Sequence, residues 1–365
     1  MNMANKTDSR RFERVAGVTA VVVGVVSLAL LWLDPRDFSL AYRFVVFVCL
    51  APAVGCLIFT LIYRLTGGQW TSGLQPFLLA GVSLLPWIWL FALPILFFPA
   101  ALSRPGTAIA STGSGYESLP MLVGRSLVYA AIFFGLSRAV LQDARAAGAH
   151  GRGPRSWVGP VGLLVLVFTL TFLGDDWMAS LDPGWHSTGF TLVWITGQAV
   201  AGLSLAVLGA LAGGARPAAI GTAGRPFGIE WGNLLMATLL LWCYVAFVQF
   251  LIIWAGNLPA EISWYQHRAD GLWQWVPSVL AIFSFALPFL LLLSRSCKVK
   301  AGGLAAVAVM LLLGQGLYTA WLILPVAGRF SPAGWTLVLT LLVAGAAAGL
   351  NRFAATARKL GRPAQ

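Results

Sequence analysis

The chain has 365 residues, of which 59% are hydrophobic and 10% are charged, and its formal net charge is +12. Soluble domains are typically about 45–50% apolar and about 25% charged, so this chain has too few charges to cover the surface of a soluble fold. The composition therefore excludes a cytosolic enzyme, a disordered protein and a disulfide scaffold. It indicates an all-α, polytopic integral membrane protein.

Ten apolar runs are long enough to cross a bilayer, because a hydrocarbon core of about 30 Å requires roughly 20 residues of helix. The first run is too long for the apolar region of a signal peptide, so we expect it to be retained. We expect one ten-helix transmembrane domain over residues 15–350, with tails at 1–14 and 351–365. The predicted helices are Val15–Leu33, Phe44–Tyr63, Leu74–Phe98, Leu119–Leu141, Val158–Leu173, Phe190–Leu211, Leu234–Trp254, Trp273–Leu293, Ala301–Val326 and Gly334–Leu350.

The basic residues predict how these helices are oriented. Ten helices put both termini on one side, and if that side is cytoplasmic, 18 of the 24 Lys and Arg residues lie inside. This bias follows the positive-inside rule. We therefore expect a multi-pass protein of a bacterial cytoplasmic (inner) membrane with both termini in the cytoplasm. The basic residues form no stripe with interleaved aromatics, so the charge does not indicate nucleic acid as a partner. The six basic residues predicted on the outer side are Arg36, Arg43, Arg104, Arg125, Arg268 and Arg329.

Two segments predicted on the outer side combine acids, histidines and tryptophans. They are TFLGDDWMASLDPGWHSTGF, residues 171–190, and WAGNLPAEISWYQHRADGLWQW, residues 254–275. Carboxylates and imidazoles at a membrane surface are suited to proton transfer to or from a lipid-soluble substrate. The candidate proton-transfer or partner-docking residues are Asp175, Asp176, Asp182, His186, Glu261 and His267.

A structural role is the alternative for each of these residues. Asp182 before Pro183 can open a turn, and Ser187 or Thr188 can cap the sixth predicted helix. Tryptophans in the two segments can be anchors at the membrane interface. Taken together, the two segments favour a functional or docking role. The candidate anchors are Trp177, Trp185, Trp264 and Trp273.

Few polar residues lie within the predicted helices. Arg125 either extends toward the interface or points into the bundle, where it would hold a carboxylate or a quinone carbonyl. Tyr129 and Gln249 are the other candidate intramembrane polar residues, and glutamines such as Gln198 and Gln315 can bond between helices. Prolines are predicted to interrupt the third helix at Pro86 and Pro94 and the eighth at Pro288.

The histidines and cysteines argue against a bound redox centre. No histidine lies in a predicted helix, and the four cysteines form no close cluster with histidine. Haem, iron–sulfur and zinc sites require such ligands. We expect no cofactor bound covalently or through a metal, and any electrons would have to travel on partner subunits.

Three segments resemble one known family. DWMASLDPGWHST (176–188) resembles the DW-x-x-SL-x-P-x-W-x-ST signature of alternative complex III membrane subunits. YVAFVQFLIIWAGNLPAEISWY (244–265) resembles a second segment, with its Q-x-L-I-x-W-x-x-N-x-P-x-E core. MLVGRSLVYAAIFF is similar to a third, in which an arginine and a tyrosine recur as Arg125 and Tyr129 do here. The family is the second NrfD-like integral subunit, or quinone-binding subunit 2, of quinol:cytochrome c/electron acceptor oxidoreductase.

The resemblance covers residues 119–275 best, and Gly184 and His186 depart from its pattern. It implies ten transmembrane helices built around two four-helix bundles. It also implies NrfD-like, iron–sulfur and multihaem partner subunits, and a quinone at the membrane as the candidate ligand.

We therefore expect a cofactor-free subunit of a respiratory quinol-oxidising complex, not catalytic alone. It would dock redox subunits on its outer face and assist quinol binding or proton release. Two alternatives stay open. One is a structural or assembly subunit without a quinone site. The other is a membrane transporter, against which stand an expected lack of buried charge pairs and of broken helices in matched halves.

Overall fold

The computed structural model of the chain describes residues 35–67, 70–71, 73–97, 118–150, 157–182, 185, 187, 189–220, 224–257, 259–327 and 331–360. Across these ranges the ordered elements are helices, and the β-type pairing there is a single isolated bridge between Ile220 and Pro226. The predicted first helix, Val15–Leu33, and the candidate residue His186 lie outside the described residues.

The helices of the described ranges follow the predicted runs in order. Short 3-10 turns cover Ala179–Leu181, Gly271–Trp275 and Leu324–Ala327, and a π-helical stretch covers Leu280–Ala286. The α-helices are α1 (Pro35–Thr66), α2 (Gln75–Val82), α3 (Leu85–Phe97), α4 (Leu119–His150), α5 (Val158–Trp177), α6 (Phe190–Ala212), α7 (Phe227–Gly256), α8 (Pro259–Gln266), α9 (Val276–Val279), α10 (Leu287–Leu293), α11 (Arg295–Val299), α12 (Ala301–Ile323) and α13 (Pro332–Leu360).

Nine helical stretches within the described ranges are long and apolar enough to cross a membrane, and each matches one of the predicted runs. The α2–α3 pair forms one of these stretches, and the helices between Gly271 and Leu293 form another. An all-α, multi-pass membrane protein is therefore the class that this fold defines.

Helix α1 lies at the centre of the bundle. It packs against α2, α3, α5, α6, α12 and α13. In the most apolar stretch of α1, 78% of the residues are buried, against 22% in α4 and in α13. The outer helices thus expose apolar side chains, as lipid-facing helices do, whereas the polar side chains that carry chemistry lie at the helix ends near the central helices.

Two glycines set the distance between α1 and α6. A Cβ atom added at Gly55 would overlap the carbonyl oxygen of Gln198, and one at Gly202 would overlap the backbone of Gly55. The thiol of Cys56 also donates a hydrogen bond to the Gly202 carbonyl, at 3.4 Å. Small residues allow membrane helices to approach this closely, so this crossing depends on the absence of side chains at both positions.

The third predicted helix is interrupted, but two residues earlier than expected. The break lies at Ser83 and Leu84, and Pro86 occupies the first turn of α3, where its missing N–H has no helical partner to lose. The expected interruption at Pro94 is wrong, because α3 continues through it to Phe97.

The eighth predicted helix changes its hydrogen-bonding pattern just before Pro288. The π-helical stretch Leu280–Ala286 precedes it, and such a local adjustment allows a membrane helix to tolerate the lost backbone donor of a proline. Ser284 in this stretch packs directly on Gly314 of α12, where a Cβ atom would overlap its hydroxyl.

Two helices are longer than predicted. Helix α4 continues from the predicted end at Leu141 to His150, so the predicted end of that helix is wrong by nine residues. The added turns contain four alanines, which favour helix, and Asp143 forms a buried ion pair with Arg64 of α1 at 2.9 Å. Helix α13 likewise continues to Leu360, through much of the predicted C-terminal tail.

The two ends of the bundle differ in charge. The described parts of segments 171–190 and 254–275 meet at one end, which we call the acidic end, together with the N-terminal parts of α1 and α4. The opposite end, which we call the basic end, holds the Arg64–Asp143 pair and the connections 213–226 and 294–300. The charge bias predicts that the basic end is cytoplasmic.

Cysteine labelling tests this orientation. In a chain whose four native cysteines are replaced by alanine, we expect Ser111→Cys to react with an impermeant maleimide added to intact spheroplasts. Ala149→Cys should react only after the membrane is permeabilised, because 18 of 24 basic residues fall on its side. The opposite pattern, or equal labelling, would contradict the predicted topology.

A second test concerns the glycine crossing. We expect Gly55→Val to destabilise the protein by about 1–3 kcal/mol, because the added side chain pushes α1 away from α6. The measurement is the midpoint of thermal loss of monodisperse protein in detergent. Gly316→Val is the matched control, since nothing lies within 4 Å of a Cβ atom there. Equal melting of the two variants would show that the crossing tolerates side chains.

Candidate functional site at the acidic end

The carboxylate of Asp176 lies in a buried ion pair between α4 and α5. Arg125 donates from Nε to Oδ2 at 2.8 Å and from Nη2 to Oδ1 at 2.7 Å. Tyr129 donates its hydroxyl to Oδ2 at 2.6 Å. Residues four apart lie on one face of a helix, so Arg125 and Tyr129 reach the same carboxylate. Arg125 therefore points into the bundle and holds a carboxylate, one of the two outcomes expected for it.

The neighbouring Trp177 connects three helices. Its indole N–H donates to Ser126 Oγ of α4 at 3.0 Å, and its carbonyl accepts from Arg43 Nη1 of α1 at 3.1 Å. Its ring contacts Phe47 and Trp89 edge-on. Trp177 is only 1% exposed, so the alternative role of an interface anchor does not apply to it.

A second charged cluster joins the two segments of the acidic end. Asp182 Oδ2 lies 3.3 Å from Arg268 Nη1 and 3.2 Å from His267 Nδ1. The Asp182 carboxylate is buried, whereas the His267 side chain is 63% exposed. This cluster therefore connects a buried carboxylate to the exterior of the protein through one imidazole.

Arg268 is the centre of this second cluster. Its guanidinium donates to the carbonyls of Trp264 at 2.9 Å, Trp321 at 3.2 Å and Leu322 at 2.9 Å, in addition to Asp182. Its Cζ atom lies 3.8 Å from the centre of the Trp264 ring, which is a cation–π contact. Arg268 is 2% exposed. It thus attaches segment 254–275 both to segment 171–190 and to the end of α12.

Burial and charge affect two titratable groups here. Burial lowers the pKa of Arg268 to about 10, and the charge and hydrogen bond of Asp182 oppose that shift. Burial, and then the charge of Glu261, raise the pKa of Tyr265 to about 12, against the influence of Arg268. At neutral pH Arg268 is therefore a cation and Tyr265 is a neutral phenol.

Three other predicted residues lie apart from these clusters. Asp175 is exposed on α5, and Glu261 is half-buried in the first turn of α8. Gln249 is buried and donates from Nε2 to Ser187 Oγ at 3.3 Å, which ties α7 to segment 171–190.

Several structural expectations are resolved by these contacts. Asp182 does open a turn, since its carbonyl accepts from the Trp185 N–H at 3.2 Å. Ser187 does not cap the sixth predicted helix, because α6 begins after Gly189 with no side-chain cap. Trp185 and Trp264 are buried and stack on each other with ring centres 4.9 Å apart, so they are not interface anchors. Trp273 is partly buried.

Sequence reasoning missed the roles of Arg43 and Arg268, which it counted only as charges on the predicted outer side. Arg268 directly follows His267 in an acid-rich segment, and that position gave a hint of an ion pair. Arg43 lies at the predicted start of the second helix, and nothing in its sequence context points to the Trp177 carbonyl.

The exposed part of the Asp182 cluster is suited to proton exchange. Among the described positions, no group of three or more His, Cys, Asp and Glu side chains is placed to hold a metal ion. The imidazole of His267 is exposed and contacts a carboxylate, which is a common arrangement for a group that accepts and releases protons.

Comparison with protein families and with characterised proteins finds no match for the chain. The fold and the site therefore define a class, a multi-pass all-α membrane protein with paired charges at its helix ends. A narrower function has to be argued from the residues themselves.

The Asp176 ion pair generates a ranked prediction of stability. Arg125→Met should cost about 3–5 kcal/mol, because it leaves a buried carboxylate without its counter-charge. Tyr129→Phe should cost about 1.5–3 kcal/mol for one hydrogen bond to a charged group. Asp175→Asn, at the exposed neighbouring carboxylate, is the control and should stay within about 0.5 kcal/mol. Thermal melting in detergent gives the order, and equal effects of Arg125→Met and Asp175→Asn would contradict a buried pair.

Proposed function

We propose that the chain is a cofactor-free membrane subunit of a respiratory complex that oxidises quinol. One observation carries the proposal: the three segments that resemble the alternative complex III subunit contact one another through the residues of their motifs. Asp176 begins the first motif and binds Arg125 and Tyr129 of the third segment. Trp264 of the second segment stacks on Trp185 of the first.

Asp176 is suited to positioning rather than to proton transfer. Both of its oxygens already accept hydrogen bonds from Arg125 or Tyr129, so the carboxylate is fully engaged. The pair fixes the end of α5 against α4. It thereby orients the segment that follows α5, where Asp182 lies.

His267 is the group better suited to carry a proton outward. Oxidation of a quinol releases two protons and two electrons. In this proposal His267 accepts a proton and passes it to the aqueous side, while Asp182 orients the imidazole and Arg268 holds that carboxylate in place. Iron–sulfur and haem centres of partner subunits docked at the acidic end would take the two electrons.

A structural or assembly subunit is the second candidate. The observation that favours it is the complete hydrogen bonding of Asp176 and the enclosure of Arg268, since such contacts stabilise a fold without any turnover. The two candidates predict different results for His267, whose exposed side chain contributes little to packing.

Transport is the least supported candidate, although the structure weakens both arguments against it. Broken helices in matched halves were expected to be lacking, yet the third predicted helix breaks at Ser83 and Leu84, and the eighth contains the π-helical stretch Leu280–Ala286. These two helices hold the same place in the two halves of the predicted ten.

Buried charge pairs were expected to be lacking, yet Arg64–Asp143, Arg125–Asp176 and Arg268–Asp182 are all buried or nearly so. They lie at the two ends of the bundle. Transporter sites typically lie near the bilayer midplane, so the position of these pairs still argues against transport.

The test is an assay of quinol oxidation by the complex that co-purifies with a tagged chain from its native membranes. We expect that preparation to contain haem-bearing subunits and to reduce an acceptor with quinol. His267→Gln should slow turnover while assembly is retained, because a positioned general base contributes about 10²- to 10⁴-fold. Asp182→Asn should slow it less, since the imidazole remains. The loss of turnover should be greatest when the buffer is dilute, because few small bases are then present to replace the imidazole.

Asp175→Asn and Glu261→Gln are the matched controls at the acidic end, and the amount of assembled complex is measured beside each rate. If complex assembled with the His267→Gln chain turns over at the wild-type rate, the structural or assembly subunit is the candidate that remains. A purified chain without redox partners and without quinol-dependent activity would overturn the proposal altogether.

A further inference from the structure

The basic end brings three elements together at the start of α7. Connection 213–226 returns to this helix through a hydrogen bond from the Gly228 N–H to the Pro217 carbonyl, at 2.9 Å. A Cβ atom added at Gly228 would overlap the Lys298 carbonyl oxygen and would lie 2.7 Å from the Pro217 side chain. Connection 213–226, α7 and α11 therefore meet at one glycine.

Lys298 is held across the surface of α7. Its side-chain carbons pack on Gly232, where an added Cβ atom would lie 2.6 Å from Cγ. Its ammonium donates to Asn233 Oδ1 at 2.6 Å, and the residue is 7% exposed. An ammonium has three donors, so this bond to a neutral oxygen leaves its charge uncompensated. Burial also lowers the pKa of Lys298.

Further positive charges lie in the segments that meet at this lysine. Connection 213–226 and residues 294–300 contain no acidic residue, and the nearest acid in sequence is Glu230, half-buried in the first turn of α7. The basic side chains of these segments are exposed. They are Arg216, Arg225, Arg295 and Lys300.

An apolar surface adjoins the positive charges. Helix α10 packs against α7 and exposes Leu290 and Leu293, the second of which lies two residues before Arg295. On α7, Leu240 and Leu241 are exposed as well. A ligand that matches both surfaces has an anionic head and apolar tails.

We propose that this part of the basic end binds the phosphate headgroup of an anionic phospholipid. The Lys298 ammonium and the guanidinium groups of Arg216 and Arg295 contact the phosphate, and the acyl chains lie along the leucines of α10 and α7. A free phosphate shares the headgroup chemistry but has no apolar part. The lipid is therefore the occupant that accounts for both surfaces.

The experiment measures lipid binding to the purified full-length protein in detergent, by native mass spectrometry and by thermal melting. The probes are phosphatidylglycerol, phosphatidylcholine with the same acyl chains, and inorganic phosphate. We expect retention and stabilisation by phosphatidylglycerol alone. Lys298→Gln and Arg295→Gln should each weaken its binding about fivefold, because a basic residue near an anionic lipid surface contributes about 1 kcal/mol.

Arg145→Gln is the matched control, since Arg145 is exposed on α4 at the same end and the change in net charge is equal. Equal binding of phosphatidylcholine, or equal stabilisation by inorganic phosphate, would overturn a lipid site. Wild-type binding by Arg295→Gln, or an equal loss with Arg145→Gln, would overturn its location. If Lys298→Gln does not fold, the exposed Arg216→Gln and Arg295→Gln variants carry the same test.

Discussion

The acidic end of this protein depends on the pairing of Asp176 with Arg125. A charge within a helical bundle that has no water to solvate it must find its partners in the protein, or the segment that carries it cannot stay buried. Arg125 and Tyr129 fulfil that requirement for Asp176, and the adjacent Trp177 then fits between α1 and α4. Segment 171–190 consequently starts from a fixed position, and the contacts of Asp182 with His267 and Arg268 follow from that position.

Much of the fold could be predicted from composition and apolar run length. Nine of the ten predicted runs match membrane-length helices of the described residues, because hydropathy is a strong constraint on chains that cross a bilayer. Helix ends were less predictable. The turns from Leu141 to His150 lie beyond the predicted end of the helix, yet alanine-rich sequence and the Asp143–Arg64 pair keep them helical. A contact between residues 79 apart is not visible in local sequence.

The candidate site was also predictable in part, from local composition. The content of acid, histidine and tryptophan singled out both segments of the acidic end, and the side chains of Asp182, His267, Trp185 and Trp264 do bring the segments together. Burial was the quantity that sequence could not provide. Tryptophans near helix ends suit an interface as well as a core, and only the packing of Trp177, Trp185 and Trp264 distinguishes the two.

Two of the carbonyls that Arg268 binds, those of Trp321 and Leu322, belong to the last turn of α12, where a helix has unpaired acceptors and the negative end of its dipole. Arg268 therefore serves as the C-terminal cap of a helix to which it does not belong, while it also neutralises Asp182. Lysine would keep the charge but not the planar set of donors that reaches four acceptors at once. A charge-conserving replacement of Arg268 would consequently weaken contacts in three parts of the chain. Geometry restricts the residue at this position more than charge does.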